Sequence, residues 1–224
     1  MRDHRGIPCL AFKGLFLVLA LLSTGCLTGR VTSTSDKDFV SHFKGFRYCG
    51  VKAVKQSRQI SCGAAALVSV MNYWQEDGAK PFSESDVWER FPPQSNQGYP
   101  ILQLRDIAFD NHFTAFAVSM DKNPWQQLVA HLGEGRPVIV AVRLPRGPYF
   151  GKKLPLVETL DRRTLLSSGN EWKSHYVVVM GHTYQEVLLM DPQYGIVRVG
   201  RDEFLSFWKP EKYSALVCSP AEDS

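Results

Sequence analysis

An α+β fold, a helical N-terminal half packed on an antiparallel sheet, is predicted by three features of this 224-residue sequence. The first is an apolar stretch that starts at Cys62-Gly63 and meets no Pro or further Gly before Gly78, a helical composition. The second is a pair of apolar runs, Val177–Met180 and Val187–Met190, separated by turn residues as in a β-hairpin. The third is their order: helical patterns dominate the first part of the chain and strand patterns the second. The length suits one well-packed domain, and no internal repeat or low-complexity tract interrupts it.

Residues 1–25 read as an export signal. Arg2, Arg5 and Lys13 make a basic start, and Leu15–Leu22 is an apolar core too short to span a bilayer. The segment closes on Leu22-Ser23-Thr24-Gly25-Cys26, which resembles a bacterial lipobox with Ser23 where leucine is most common. The resemblance implies cleavage before Cys26 and its acylation. Leu27, in place of an Asp, then implies sorting to the outer membrane, facing the periplasm. Several acyl chains hold a protein firmly where one does not. Residues 26–45 are polar and read as a tether, which leaves 46–220 for the domain. Removing residues 1–25 takes away three basic groups and one acidic group. The formal charge of +4 falls to +2, too little and too scattered for nucleic-acid binding.

Within the domain, Phe46–Val54 alternates and is predicted as a short strand leading into Gln56. The helix from Cys62 is predicted to stop at Gly78. Ser83, with Asp86 three residues on, gives a capping-box-like start to a second helix, which Pro92-Pro93 ends. Pro100 opens a third, with Ile101, Leu104, Ile107 and Ala108 on one face. Phe113–Ser119 alternates as a strand. Asn123-Pro124 is expected to cap a helix to about Leu132, broken by Gly133-Glu134-Gly135. Pro137–Val142 is a continuous apolar run, as in a buried strand. Residues 144–173, rich in Pro, Gly and basic groups, form an insertion of the length that marks functional loops. After the hairpin, a strand over Ile196–Val199, a helix over Arg201–Trp208 and a strand over Tyr213–Cys218 complete the domain.

The chemistry is carried by four residues. A thiol at a helix start faces unpaired backbone N–H groups and the positive end of the helix dipole, which stabilise a thiolate; Cys62 has that place. Gly63 and the alanines after it are expected to leave room for a substrate backbone beside the sulfur. Gln56, six residues upstream, carries an amide able to donate to an oxyanion. A hairpin centred on Thr183 opposes His175 and Asp191, with Cβ atoms about 5 Å apart. A nucleophile, a base and a group that orients the base are thereby supplied by Cys62, His175 and Asp191. The chain order Cys, His, Asp with a Gln before the Cys is papain-like.

The segments QSRQISCGAAAL, GYPILQLRDIAFDNHFTAFAV, RPVIVAV and HYVVVMGHTYQEVLLMDP together resemble the bacteriocin-processing cysteine peptidases, which cut leaders after a double glycine. The resemblance covers about Val51–Trp208 and implies Cys62 as nucleophile, His175 as base, Asp191 as orienting acid and Gln56 in the oxyanion hole. Two departures are expected: the chain reads as a free lipoprotein where those peptidases are usually fused to export transporters, and residues 144–173 stand where the family has a short link. Among stand-alone relatives, the chain is similar to the cysteine peptidases encoded with the functional-amyloid export systems of pseudomonads. The implied activity is a periplasm-facing endopeptidase that processes a leader or segment of a protein in an export pathway, with a functional-amyloid or biofilm pathway as the one the stand-alone relatives suggest. The implied partners are that protein or peptide and, through the lipid, the membrane. Two alternatives remain open, a silent peptide-binding lipoprotein accessory to secretion and a thiol acyltransferase on the same fold.

Neither a cofactor nor a metal is expected, because the remaining histidines lack ligand spacing with Cys or acids. Signal removal discards Cys9, lipid takes Cys26 and catalysis needs Cys62 free. That leaves Cys49 and Cys218, from the first and last predicted strands, as a possible disulfide in an oxidising compartment.

Overall fold

A computed structural model describes residues 45–145, 152–153 and 172–221. The export signal, nearly all of the tether with Cys26, and most of the 144–173 insertion lie outside the described residues. The elements run β1 (Arg47–Tyr48), α1 (Cys62–Trp74), α2 (Glu84–Arg90), α3 (Ile101–Asp110), β2 (Phe113–Ser119), α4 (Pro124–Gly133) and β3 (Val138–Pro145). They continue with β4 (Lys152–Lys153), β5 (Trp172–His182), β6 (Glu186–Asp191), β7 (Gly195–Gly200), α5 (Arg201–Trp208) and β8 (Ser214–Pro220). The strands form one antiparallel sheet in the order β2-β8-β3-β5-β6-β7-β4, with β1 on β5. The expected α+β architecture is the observed one: three helices precede the first full strand, and the sheet is built mainly from the second half.

α1 is the core of the molecule. Every residue from Cys62 to Met71 is buried, so the helix is apolar all round, as a central helix must be. It packs on β5, β3 and β8 and against α2 and α3. The helix ends at Trp74 rather than running to Gly78, because Gln75-Glu76-Asp77 offers no apolar face to bury. Gly78 instead turns the chain with φ +90°. α2 starts as expected, with the Asp86 N–H donating to Ser83 Oγ at 3.0 Å. Asn123 makes no such cap for α4; it sits left-handed at φ 58° and its side chain bonds no helix N–H.

The predicted first strand is short. Only Arg47 and Tyr48 pair with β5, after which the Cys49 N–H donates to Met180 O and the chain leaves the ladder. β3 and β5 are longer than predicted, because they extend each other through eight pairs from Val138↔Val179 to Pro145↔Trp172. The flanks of the 144–173 insertion are therefore strand, not loop. Lys152 and Lys153 within it pair with Arg198 and Val197 at the sheet edge.

The expected Cys49–Cys218 bridge is not formed: both are buried free thiols. β1 pairs with β5, whereas β8 pairs with β2 and β3, so the first and last strands are not ladder neighbours. Burial pushes the Cys218 thiol up to about 12. It pushes Cys49 up to about 11, against a smaller opposing effect of the Tyr73 hydroxyl.

Candidate active site

Cys62 occupies the first position of α1, at 8 % exposure, after a tight turn in which Ser61 Oγ donates to Arg58 O and accepts from the Arg58 N–H. The turn explains why the helix begins there: Ser61 holds the incoming loop, and the Ala65 N–H donates back to Ser61 O. A cleft of about 260 Å³ opens at this helix end, lined by Cys62, the 95–100 segment, His175, Tyr176 and Glu211 among others. The nucleophile and base expected from the sequence thus face one cavity. Gly63 plays another part than expected. A Cβ there would lie 3.1 Å from Tyr99 Cβ and 3.2 Å from both Leu104 and Tyr176, so glycine lets the helix start press between those side chains. Close packing of the cleft walls, not substrate access, requires it.

His175 and Asp191 meet, but not by the register expected. The hairpin pairs Val178 with Met190 and Val179 with Leu189, two residues away from the predicted alignment. Nearer the turn the pairing becomes Gly181↔Leu188 and His182↔Val187, so β5 carries one extra residue, a bulge between Val179 and Gly181. The bulge decides the site. Extended from the turn without it, the register would set Asp191 opposite Val178, on the face away from His175. With it, Asp191 lies opposite Val177, which shares a face with His175, because strand side chains alternate. The imidazole then reaches diagonally, and Nε2 stands 3.1 Å from Asp191 Oδ1.

Asp191 is a turn residue as well as a histidine partner. The N–H groups of Gln193 and Tyr194 donate to Oδ1 at 2.6 and 3.0 Å, an Asx-type turn that Gly195 closes at φ 83°. With two N–H donors already converging on Oδ1, that oxygen is an acceptor and the hydrogen belongs on His175 Nε2. The network thereby assigns Nδ1 as the lone-pair nitrogen of the ring. Complete burial pushes the Asp191 carboxyl up to about 7, opposed by those two N–H groups. Both members of the pair are almost fully shielded, at 3 % and 0 % exposure.

Gln56 is placed beside this pair rather than in the cleft lining. Its N–H donates to Pro192 O at 3.0 Å, tying the loop before Cys62 to the turn after Asp191. Its side-chain Nε2 donates to Arg58 O at 2.9 Å, within its own loop. The same loop is held from below by a group that sequence reasoning passed over. Glu84, in the first turn of α2, is buried, and its Oε2 accepts from Ser57 Oγ at 2.7 Å. Arg58 lies over the Trp88 ring, 4.6 Å from its centroid. Glu211 and Tyr176 in the cleft were also missed, since each reaches it by a fold contact that no local pattern announces. Among the described residues, no three His, Cys, Asp or Glu side chains gather to hold a metal ion.

The family model of the peptidase C39-like family matches residues 48–216. No curated protein matches the chain. Among solved structures, the peptidase domain of ComA from Streptococcus, a bifunctional ABC transporter of a quorum-sensing pathway, is similar with a TM-score of 0.52 at 21 % identity. The match covers 76 % of this chain and 98 % of that domain. A double glycine motif protease from an AMS/PCAT transporter, solved with its leader peptide, gives a TM-score of 0.51 at 19 % identity, over 78 % and 94 % of the two chains. At these identities the likeness is one of fold, and that fold is the papain-like one.

Proposed function

Because this chain belongs to the peptidase C39-like family, we propose that it is a cysteine endopeptidase in which Cys62 is the nucleophile, His175 the base and Asp191 the orienting acid. The reading is carried by one observation: the thiol at the start of α1 and the imidazole held by a buried carboxyl line the same cleft. In the step proposed, Nδ1 of His175 takes the Cys62 proton and the thiolate adds to the substrate carbonyl. The oxyanion is met by N–H groups of the helix start and by Gln56, whose amide must turn partly from Arg58 O to reach it. His175 then protonates the leaving amine, and water, deprotonated by the same ring, hydrolyses the thioester.

The solved relative bound to a leader peptide favours a polypeptide substrate. The lipobox-like Cys26 and the polar tether support a periplasm-facing, lipid-anchored enzyme, with the outer membrane as its site. The resemblance to peptidases of functional-amyloid export systems supports a substrate that passes through such a pathway. The test is a comparison of N-termini among secreted and membrane proteins from cells carrying the wild type or Cys62→Ala. A substrate whose N-terminus shifts only when Cys62 is intact is expected; identical termini in both would end the peptidase reading.

A further inference from the structure

Among the described residues, Glu211 is the one acidic side chain in the cleft lining, and it stands on a packed turn. It closes a 3-10 turn, Lys209–Glu211, that follows α5 directly. The two residues after it, Lys212 and Tyr213, are both left-handed at φ 54°. Neither is glycine, and such residues are strained, persisting where the surroundings impose them. The surroundings here are firm: Trp208 Nε1 donates to Ser214 O at 2.9 Å, and the Trp208 and Tyr213 rings meet edge to face. The Met120 N–H donates to Tyr213 O, and Ser119 Oγ to Lys212 O. A strained, packed turn thus holds a carboxylate in the lining of the cleft that Cys62 also lines.

The carboxylate has a free side. Arg143 Nε at 3.3 Å and Ser174 Oγ at 3.2 Å both engage Oε1, and among the described residues no hydrogen bond or ion pair falls on Oε2. The Arg143 side chain is 50 % exposed, and an ion pair in that setting is weak, so a second cation can readily share the carboxylate. Glu211 also lies near enough to Tyr176 that its charge, after burial and Cys62, helps push that hydroxyl up. Glu211 therefore acts on a hydroxyl that lines the same cleft as Cys62.

We propose that Glu211 makes this cleft select a polypeptide segment bearing a lysine or arginine side chain close to the bond presented to Cys62. The proposal rests on the peptidase reading for the word bond, but its electrostatic content does not, so two measurements on the purified full chain separate them. The first uses internally quenched peptides that differ only by Lys, Gln or Glu at successive positions. At one position the Lys peptide should exceed the Glu peptide by about tenfold in kcat/KM, a preference that Glu211→Gln removes. The second compares the rates at which 2-aminoethyl and 2-sulfonatoethyl methanethiosulfonate modify Cys62, the buried Cys49 and Cys218 being read separately by mass spectrometry. The cationic reagent should be favoured by roughly fivefold or more, Glu211→Gln should bring the two near parity, and Arg143→Gln should widen the gap. Peptides cut without charge preference, or with a preference that survives Glu211→Gln, overturn the proposal and leave the peptidase standing. No peptide cut, with a reagent ratio that still follows Glu211 and Arg143, supports charge selection by the cleft and removes the peptidase. No cutting and an unmoved ratio reject both.

Discussion

Asp191 carries a cost that its neighbours only partly offset. Its carboxyl, shifted from 3.8 to about 7 by burial, keeps in the folded chain a proton that the unfolded chain releases near 3.8. The native state therefore binds more protons between those values, and stability falls as pH rises. The contribution is complete below about 3.8, is lost through about 7 and is constant above, with a slope of at most about 1.4 kcal/mol per pH unit. Asp191→Asn keeps an Oδ1 acceptor for Gln193, Tyr194 and His175 but has no proton to lose. Denaturant unfolding from pH 4 to 8 should show the variant gaining on the wild type up to about pH 7 and running parallel above it. Parallel curves throughout would mean that the carboxyl is not shifted. In a peptide-cleavage assay the same variant should retain part of its turnover, whereas Cys62→Ala and His175→Ala should retain none, since an orienting group is less essential than a nucleophile or base.

At the scale of elements, the β5–β6 hairpin does what neither of its catalytic candidates can do alone. Its bulge sets the parity that places Asp191 on the His175 face, and Gly181 sits at the bulge, where β1 crosses. A Cβ on Gly181 would stand 2.5 Å from Tyr48 Cβ and 2.7 Å from Arg47 O, so one of the two strands must move. Gly181→Ala should destabilise the domain by about 1–3 kcal/mol, the usual cost of overpacking, as read by denaturant unfolding. Turnover should fall further than that loss of stability explains, because β1 and the bulge share the site of the clash. Normal unfolding and normal turnover would show that the hairpin holds its register without this contact.

For the molecule as a whole, the proposed anchor and the sheet give a consistent arrangement. The tether enters at β1, beside the Gly181–His182 end of β5, while His175 lies seven residues away along the same strand. An extended strand rises about 3.3 Å per residue, so the cleft stands on the order of 20 Å from the point where the tether joins. Cys26→Ser should move the protein from the membrane fraction to the soluble periplasm, measured by fractionation and immunoblotting. Retention in the membrane would show that something other than acylation at Cys26 holds it.

Local patterns in the sequence determined what depends on near neighbours. The helix start at Cys62, the Ser83 cap and the strand over Phe113–Ser119 follow from spacing that the backbone reads directly. The two apolar runs around Thr183 likewise announce a hairpin, and with it the nearness of His175 to Asp191. Tertiary structure decided what depends on distant contacts. It cut β1 to two residues, lengthened β3 and β5 by mutual pairing, and left Cys49 and Cys218 as separate thiols. It also buried Glu84 against the Gln56 loop and brought Glu211 into the cleft of Cys62 across 149 residues of chain. The hairpin register shows where the boundary falls. Alternation fixes which residues can share a face, but a single bulge reverses the parity, and whether one forms is set by the strands packed on either side.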